Sequence, residues 1–312
     1  MATAPLTVPL RAMDTDVDVH VGGVDPERLA AGVRERWRLC LRDEGAGPAP
    51  DGVPAVRLTL ALEPERDPGP TTAAGPTPAP GTTTPPGPTP APGTTTPPGP
   101  TPAVPGRREA TELVGRDEDG LFTRLTHAVT GAVIRAQSGR LLMLHAAALA
   151  DPGTGATLVA VAAGGTGKST LCRVHGPGRV YLTDETVGIR RDGSVAAYPK
   201  PVSLRRSEQP FGKDEVPPAR LGLDAPPVPT WVAGVVLLRR DPAHRGAPVV
   251  EQLDTLDALV SLAPESSAFM VTDHPLTWLA ELLEGTGGAR RVTYADTADL
   301  GQLVAEVLGR TR

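Results

Sequence analysis

The chain has 312 residues, of which 39% are hydrophobic and only 3% aromatic, with 36 prolines and a net charge of -5. This length allows one large domain or two small ones, and the acidic balance excludes a broad basic field for nucleic acid or an anionic membrane surface. No apolar run approaches the ~20 residues that cross a bilayer. "MATAPLTVPLRAMD" has no basic start followed by an apolar core, so no signal peptide is read there. Cys40 and Cys172 fit neither a disulfide framework nor a zinc spacing. A reduced, cytoplasmic setting is the expectation.

In chain order, LTVPLRAM and TDVDVHVG read as short strands, the second alternating Val17, Val19 and Val21 with polar residues. Asp14, Asp16 and Asp18 lack the glycine and distal glutamate of a calcium loop and are assigned to the solvent face of that strand. DPERLAAGVRERWRLCL predicts a helix with Asp25 as N-cap, Pro26 at the first helical position, and Leu29, Val33, Trp37 and Leu41 on one face. AVRLTLAL is a further alternating strand, so residues 1–66 predict a small α+β lobe. Residues 67–107 are dominated by GPTPAPGTTTPP, which occupies 75–86, recurs at 87–98 and begins again at 99. Proline lacks a backbone donor and glycine is entropically costly to order, so this insertion is expected to be a disordered, partly polyproline linker. It is either a docking site for a proline-binding partner or an insertion grown by repeat slippage, and the perfect repeat favours the second.

Residues 108–312 predict an α/β domain. EATELVG reads as a strand, and DGLFTRLTHAVTGAVIRAQ as an amphipathic helix with Leu121, Leu125, Val129 and Val133 at steps of four. RLLMLHAAALA and ATLVAVAAGG are apolar on both sides, as buried strands are. VYLTDE, SVAAYPKPVSLR and WVAGVVLLRR follow, then helices at TLDALVSLA and PLTWLAELLEG, a strand at RRVTYAD and a closing helix at DLGQLVAEVLGR. Asp273 and His274, adjacent on a loop, are assigned to the surface. His20, His127, His175, His244 and His274 are read as structural.

The chemistry concentrates between Val159 and Ile189. Ala162–Ser169 reads AAGGTGKS and matches G-x-x-x-x-G-K-[ST] except at the first position. Such a loop, after a strand and before a helix, offers successive N–H groups and a helix N-terminus to phosphate. Gly165 and Gly167 allow the backbone to approach closely. Lys168 would reach the outer phosphates and Ser169 would ligate Mg²⁺. Asp184 and Glu185 close the next apolar strand, sixteen residues after Lys168, leaving room for one short helix and one strand. This short return predicts that the acidic strand lies beside the loop's own strand, which suits a compact kinase core more than a mechanical ATPase. His145, read as ending the RLLML strand, is placed at a neighbouring strand end. Lys200, Arg205 and Arg206 either contact phosphates or an acidic substrate, or are solvated charges at a strand end.

These features resemble the HPr kinase/phosphorylase superfamily, whose nucleotide core is related to phosphoenolpyruvate carboxykinase. The resemblance lies in LHAAAL, VAVAAGGTGKST and YLTDETVGI, and AAYPKPVSLR resembles the Pro-Lys-Pro segment of smaller HPr-kinase-like proteins often found near peptide-modification genes. It spans Leu121 to Arg206 and extends more loosely into the C-terminal pattern. It implies a PEP carboxykinase-like/HPr kinase-like P-loop core and transfer of the γ-phosphoryl of ATP, with Mg²⁺, to a Ser-type hydroxyl. The acceptor would be a protein or peptide, plausibly one encoded nearby, and self-association into a homo-oligomer stays open. By the same resemblance, Gly164, Gly165, Thr166, Gly167, Lys168, Ser169 and Thr170 hold ATP, and Ser169, Asp184 and Glu185 hold the metal. Asp184 is also the base, tuned through a hydrogen bond by His145, and Lys168 neutralises the transferring group. The chain departs from the family at Ala162 and Glu185, and it lacks the second signature of the bifunctional enzymes, so phosphorylase activity is not expected. The alternative is a nucleotide-binding scaffold or slow ATPase in which Glu185 polarises water. A kinase acting on a small metabolite is a third reading.

Overall fold

The structure is a computed structural model that describes residues 6–43, 47, 49–50, 52–64, 111–206 and 213–312. The linker assigned to 67–107 lies outside the described residues. The first lobe begins with β1 (Leu6–Ala12) and β2 (Thr15–Gly23), an antiparallel hairpin whose inward residues alternate with outward ones. Helix α1 (Pro26–Arg36) has Asp25 as N-cap, its carboxylate accepting from the Arg28 amide, with Pro26 in the first turn. It stops earlier than its apolar pattern suggested, because the chain tightens into a 3-10 turn over Arg38–Cys40. That turn leaves Trp37 fully buried against Tyr198.

Strands β3 (Val56–Leu62) and β4 (Thr111–Gly115) complete a sheet of order β1-β2-β3-β4, with the last two pairs parallel. The boundary drawn at residue 108 therefore does not follow the sheets, since β4 pairs with β3. Helix α2 (Glu118–Gln137) covers this sheet with Leu121, Phe122, Leu125, Val129 and Val133, joining Leu29, Val33, Leu58 and Cys40 in one core. Strand pattern alone could not show this, because β4 and β3 are brought together across the insertion.

The second lobe begins with β5 (Leu142–Ala150) and β6 (Ala156–Val161), then α3 (Lys168–His175), β7 (Val180–Thr183) and β8 (Thr186–Ile189). Strands β9 (Val195–Ala196), β10 (Val202–Arg205), β11 (Lys213–Val216), β12 (Trp231–Arg240) and β13 (Val249–Gln252) follow. The chain closes with α4 (Thr255–Leu262), β14 (Ser266–Ser267), α5 (Pro275–Thr286), β15 (Ala289–Tyr294) and α6 (Gly301–Leu308). The main sheet runs β13-β15-β12-β6-β5-β8-β9, with β7 and β14 also paired to β5. Strands β6, β12 and β15 are mutually parallel, and β5 is antiparallel to β6, β7 and β8. Alternation within the buried strands sends Val159 and Val161 to the face covered by α4 and α5, and Leu158 and Ala160 to the face covered by α3 and α6. The result is a three-layer α/β sandwich. Cys172 is buried in the second of these faces, as Cys40 is in the first lobe. Among the described residues, no helix is long and apolar enough to cross a membrane.

The lobes are joined by the tip of the first hairpin. Met13 and Asp14 both have positive φ, 44° and 59°, the geometry of a two-residue hairpin turn normally given to Gly or Asn. Here the turn is held by partners. The Met13 amide donates to the Ala197 carbonyl, Gln137 Nε2 donates to the Met13 carbonyl, and Arg190 grips the Asp14 carboxylate at 2.6 Å. Asp14 is thus a turn residue, while Asp16 and Asp18 lie on the outward face of β2 and pair with Arg11 and Arg42. The fully buried Met13 side chain packs where Gly188 has no side chain. Met13→Ala is expected to cost about 2–5 kcal/mol. The check is chemical denaturation, read as a lower midpoint at unchanged slope.

Candidate functional site

The glycine loop leaves the end of β6 and enters α3 directly. Gly165 and Gly167 have φ of 83° and 110°, values that L side chains rarely adopt, and Gly167 is the N-cap of α3. From β15, the Tyr294 hydroxyl donates to the Thr166 carbonyl at 2.8 Å and so pins the loop. His175, at the far end of α3, holds the Thr297 carbonyl at 2.7 Å, which bears out its structural reading.

Strand β7 lies beside β5, not beside β6 as the short return suggested; β5 stands between them. Strands β7 and β8 pair with successive stretches of β5, and Asp184 and Glu185 fill the break between them. The Thr183 hydroxyl accepts from the Glu185 amide, and the Glu185 carbonyl accepts from the Ala146 amide, which fixes the break. His145 does not end its strand, because β5 is nine residues long and runs past the end of β6. It nonetheless lies beside the start of the loop, where its carbonyl accepts from the Ala162 amide.

The cavity at this edge holds about 530 Å³ and is lined by His145, Gly164, Gly165, Gly167, Lys168, Ser169 and Thr170, together with Asp184 and Glu185. The structure therefore brings His145, the loop and the acidic pair together. Thr166 is not among the lining residues and turns its hydroxyl to the Ala163 carbonyl. Arg173, Lys200, Ser203, Leu204, Arg205, Lys213 and Arg240 complete the wall.

Asp184 is held on every side. Ser169 Oγ donates to Oδ2 at 2.6 Å, while Lys200 Nζ stands 2.8 Å and the Tyr181 hydroxyl 3.1 Å from Oδ1. No hydrogen bond from His145 reaches it among the described residues; Tyr181 and Lys200 occupy that role. Glu185 is looser, with Oε2 3.4 Å from Lys200 Nζ and 3.5 Å from Thr130 Oγ1, and with Oε1 unengaged among the described residues. Ser169 thus meets Asp184, not Glu185. Ser169 Oγ and Asp184 Oδ2 form a hard oxygen pair of the kind that holds Mg²⁺ beside substrate phosphates.

Lys200 is neither a solvated charge nor a free phosphate contact. Its side chain is 1% exposed and lies among Asp184, Glu185, Ser203 and the Pro201 carbonyl. Burial disfavours its charge, but Asp184, Glu185 and Glu215 outweigh burial and hold its pKa above the ordinary lysine value. Glu215 is itself buried, accepts from Ser203 and Thr126, and is pushed above the usual carboxylate range by burial. Arg206 pairs with Asp214 and Asp119 away from the cavity, so it belongs to the surface reading. Lys168 folds back onto the Ala162 and Ala163 carbonyls, and burial brings its pKa down to about 8. Burial, then Lys168, lowers the pKa of His145, which favours its neutral ring.

Sequence reading missed Tyr181, Ser203 and Glu215. Tyr181 carried a usable signal, a hydroxyl three residues before the acid on the same apolar strand. Glu215 and Ser203 carried none. No known protein family and no curated protein matches the chain. Among solved structures, the Hpr(Ser) kinase/phosphatase from Coxiella burnetii is similar over 53% of this chain and 93% of its own, with 12% identity and a TM-score of 0.29. Similarity at that depth is too shallow to carry function.

Removing one partner of a buried ion pair leaves an uncompensated charge, worth about 3–5 kcal/mol. Lys200→Met should lose stability in that range, and Asp184→Asn in the same chain should recover part of it. Denaturation midpoints of the single and double variants decide the matter. A Lys200→Met chain as stable as the parent would refute the pairing.

Proposed function

We propose that this chain is an ATP-dependent phosphotransferase that moves the γ-phosphoryl group to a Ser-type hydroxyl of a protein or peptide. The observation that carries the reading is the 2.6 Å contact between Ser169 and Asp184, facing a glycine loop in a cavity walled by cations. The loop amides and Lys168 bind the phosphates. Ser169 and Asp184 would hold Mg²⁺, which offsets phosphate charge when bound. The polypeptide acceptor is drawn from the motif resemblance to HPr kinases.

The geometry favours a division of roles. Both oxygens of Asp184 are occupied, whereas Glu185 keeps Oε1 open in the cavity wall. Glu185 is therefore assigned as the base. It takes the acceptor hydroxyl proton as the acceptor oxygen bonds to the γ-phosphorus, and the bond from that phosphorus to the β–γ bridging oxygen breaks to release ADP. His145, neutral and beside the loop, orients the acceptor hydroxyl. Catalysis here is positioning and charge stabilisation, with little covalent work for the protein.

With γ-labelled ATP and candidate peptides, label should appear on a polypeptide and fall about 10²–10⁴-fold in Glu185→Gln, the range of general-base catalysis, while nucleotide still binds. Free phosphate alone would instead support the slow ATPase. The lysine gives a second check. Bound polyphosphate favours its protonated form and raises its pKa, so affinity should be full below pH 8 and fall as pH rises through about 8. Binding near pH 8 should take up protons. Titration calorimetry in buffers of different ionisation enthalpy reads this directly, and a pH-independent affinity would exclude a phosphate contact from a lysine that titrates near pH 8.

A further inference from the structure

Strands β10 and β11 form a two-stranded antiparallel ribbon at the cavity wall. Directly opposed residues in such a ribbon share a face. Ser203 with Glu215, and Arg205 with Lys213, therefore make two successive rungs on one face. The inner rung is satisfied locally: Ser203 donates to Glu215, and Lys200 Nζ lies 3.3 Å from Ser203 Oγ. The outer rung consists of two cations side by side, and neither has an acidic partner among the described residues. Of the described acids on the ribbon, Glu215 belongs to the inner rung, and Asp214 lies on the other face and is taken by Arg206. Like charges directly opposed across strands are destabilising, and an anion between them reverses the sign.

Position says which anion. Arg205 Nη2 stands 3.1 Å from the point where a Cβ on Gly165 would lie, so the guanidinium rests on the glycine loop itself. The inner rung is tied through Lys200 to Asp184 and Glu185, which puts the outer rung near the carboxylate end of the cavity. Lys213 lines the same cavity as Lys168 and His145. Phosphoryl transfer requires the last phosphate at that same end.

We propose that Arg205 and Lys213 bind the terminal phosphate of the nucleotide and make the site discriminate triphosphate from diphosphate. This rests on the nucleotide reading above and adds a division of labour: loop amides for the inner phosphates, Lys168 between these and the outermost, ribbon for the outermost alone. The test is titration calorimetry with Mg²⁺ and either ADP or the β,γ-imido analogue of ATP, on the full chain and on Arg205→Met and Lys213→Met. Thermal melts confirm that the variants fold, and both residues are exposed. Arg205→Met should weaken the analogue about tenfold or more, as expected for a charge-assisted hydrogen bond, and leave ADP within about twofold. Lys213→Met should do the same more weakly, and Arg205→Lys should recover part of the loss. Equal losses for both nucleotides, or no loss for either, would overturn the assignment while leaving nucleotide binding intact. A parent chain that binds neither nucleotide removes both readings. If Arg205→Met spares both nucleotides but weakens an Asp/Glu-rich peptide, the rung serves the acceptor and the proposal fails.

Discussion

The site depends on one buried ion pair, Lys200 with Asp184. Taking two charges out of water costs several kcal/mol per ion, and only close geometry with further hydrogen bonds offsets it. Here the offset is spread widely. Lys200 sits against Asp184, Glu185, Ser203 and a backbone carbonyl, and Asp184 also meets Ser169 and Tyr181. Through Glu215 and Thr126 the network reaches α2, whose neighbouring apolar residues complete the core of the first lobe. A single ammonium group therefore ties the end of β7, the ribbon and the long helix into one arrangement.

That arrangement explains why two adjacent acids behave differently. A continuous strand would turn consecutive side chains to opposite faces. The break between β7 and β8, held by the Thr183 hydroxyl, lets both carboxylates reach Lys200. Asp184 lies deeper and is fully engaged, while Glu185 remains partly open. Glu185 keeps one oxygen on Lys200 while lining the cavity.

The parts legible in the sequence are those governed by local rules. The loop was legible because phosphate contact needs glycines, a lysine and a helix start within eight consecutive residues. Asp25 and Pro26 announced α1, and the four-residue steps from Leu121 to Val133 announced α2. Pairing between distant segments was not legible. Nothing local says that β4 joins β3 across the insertion, that β5 separates β6 from β7, or that Glu215 returns to Ser203. Lys200 was left between a phosphate or substrate contact and a solvated charge for a related reason. Charges are seldom buried unless paired, and the acids that pair with Lys200 lie elsewhere in the chain.

The two thiols have a use that their burial creates. Cys40 lies inside the first lobe's core and Cys172 on the buried side of α3, facing the Thr183 carbonyl. Burial raises the pKa of both, so each is a poor nucleophile while its surroundings stay closed. Alkylation of either one must then wait for its own core to open. The chain thus carries two internal clocks, one per lobe, and the ratio of their rates would show whether the halves unfold as a unit or separately.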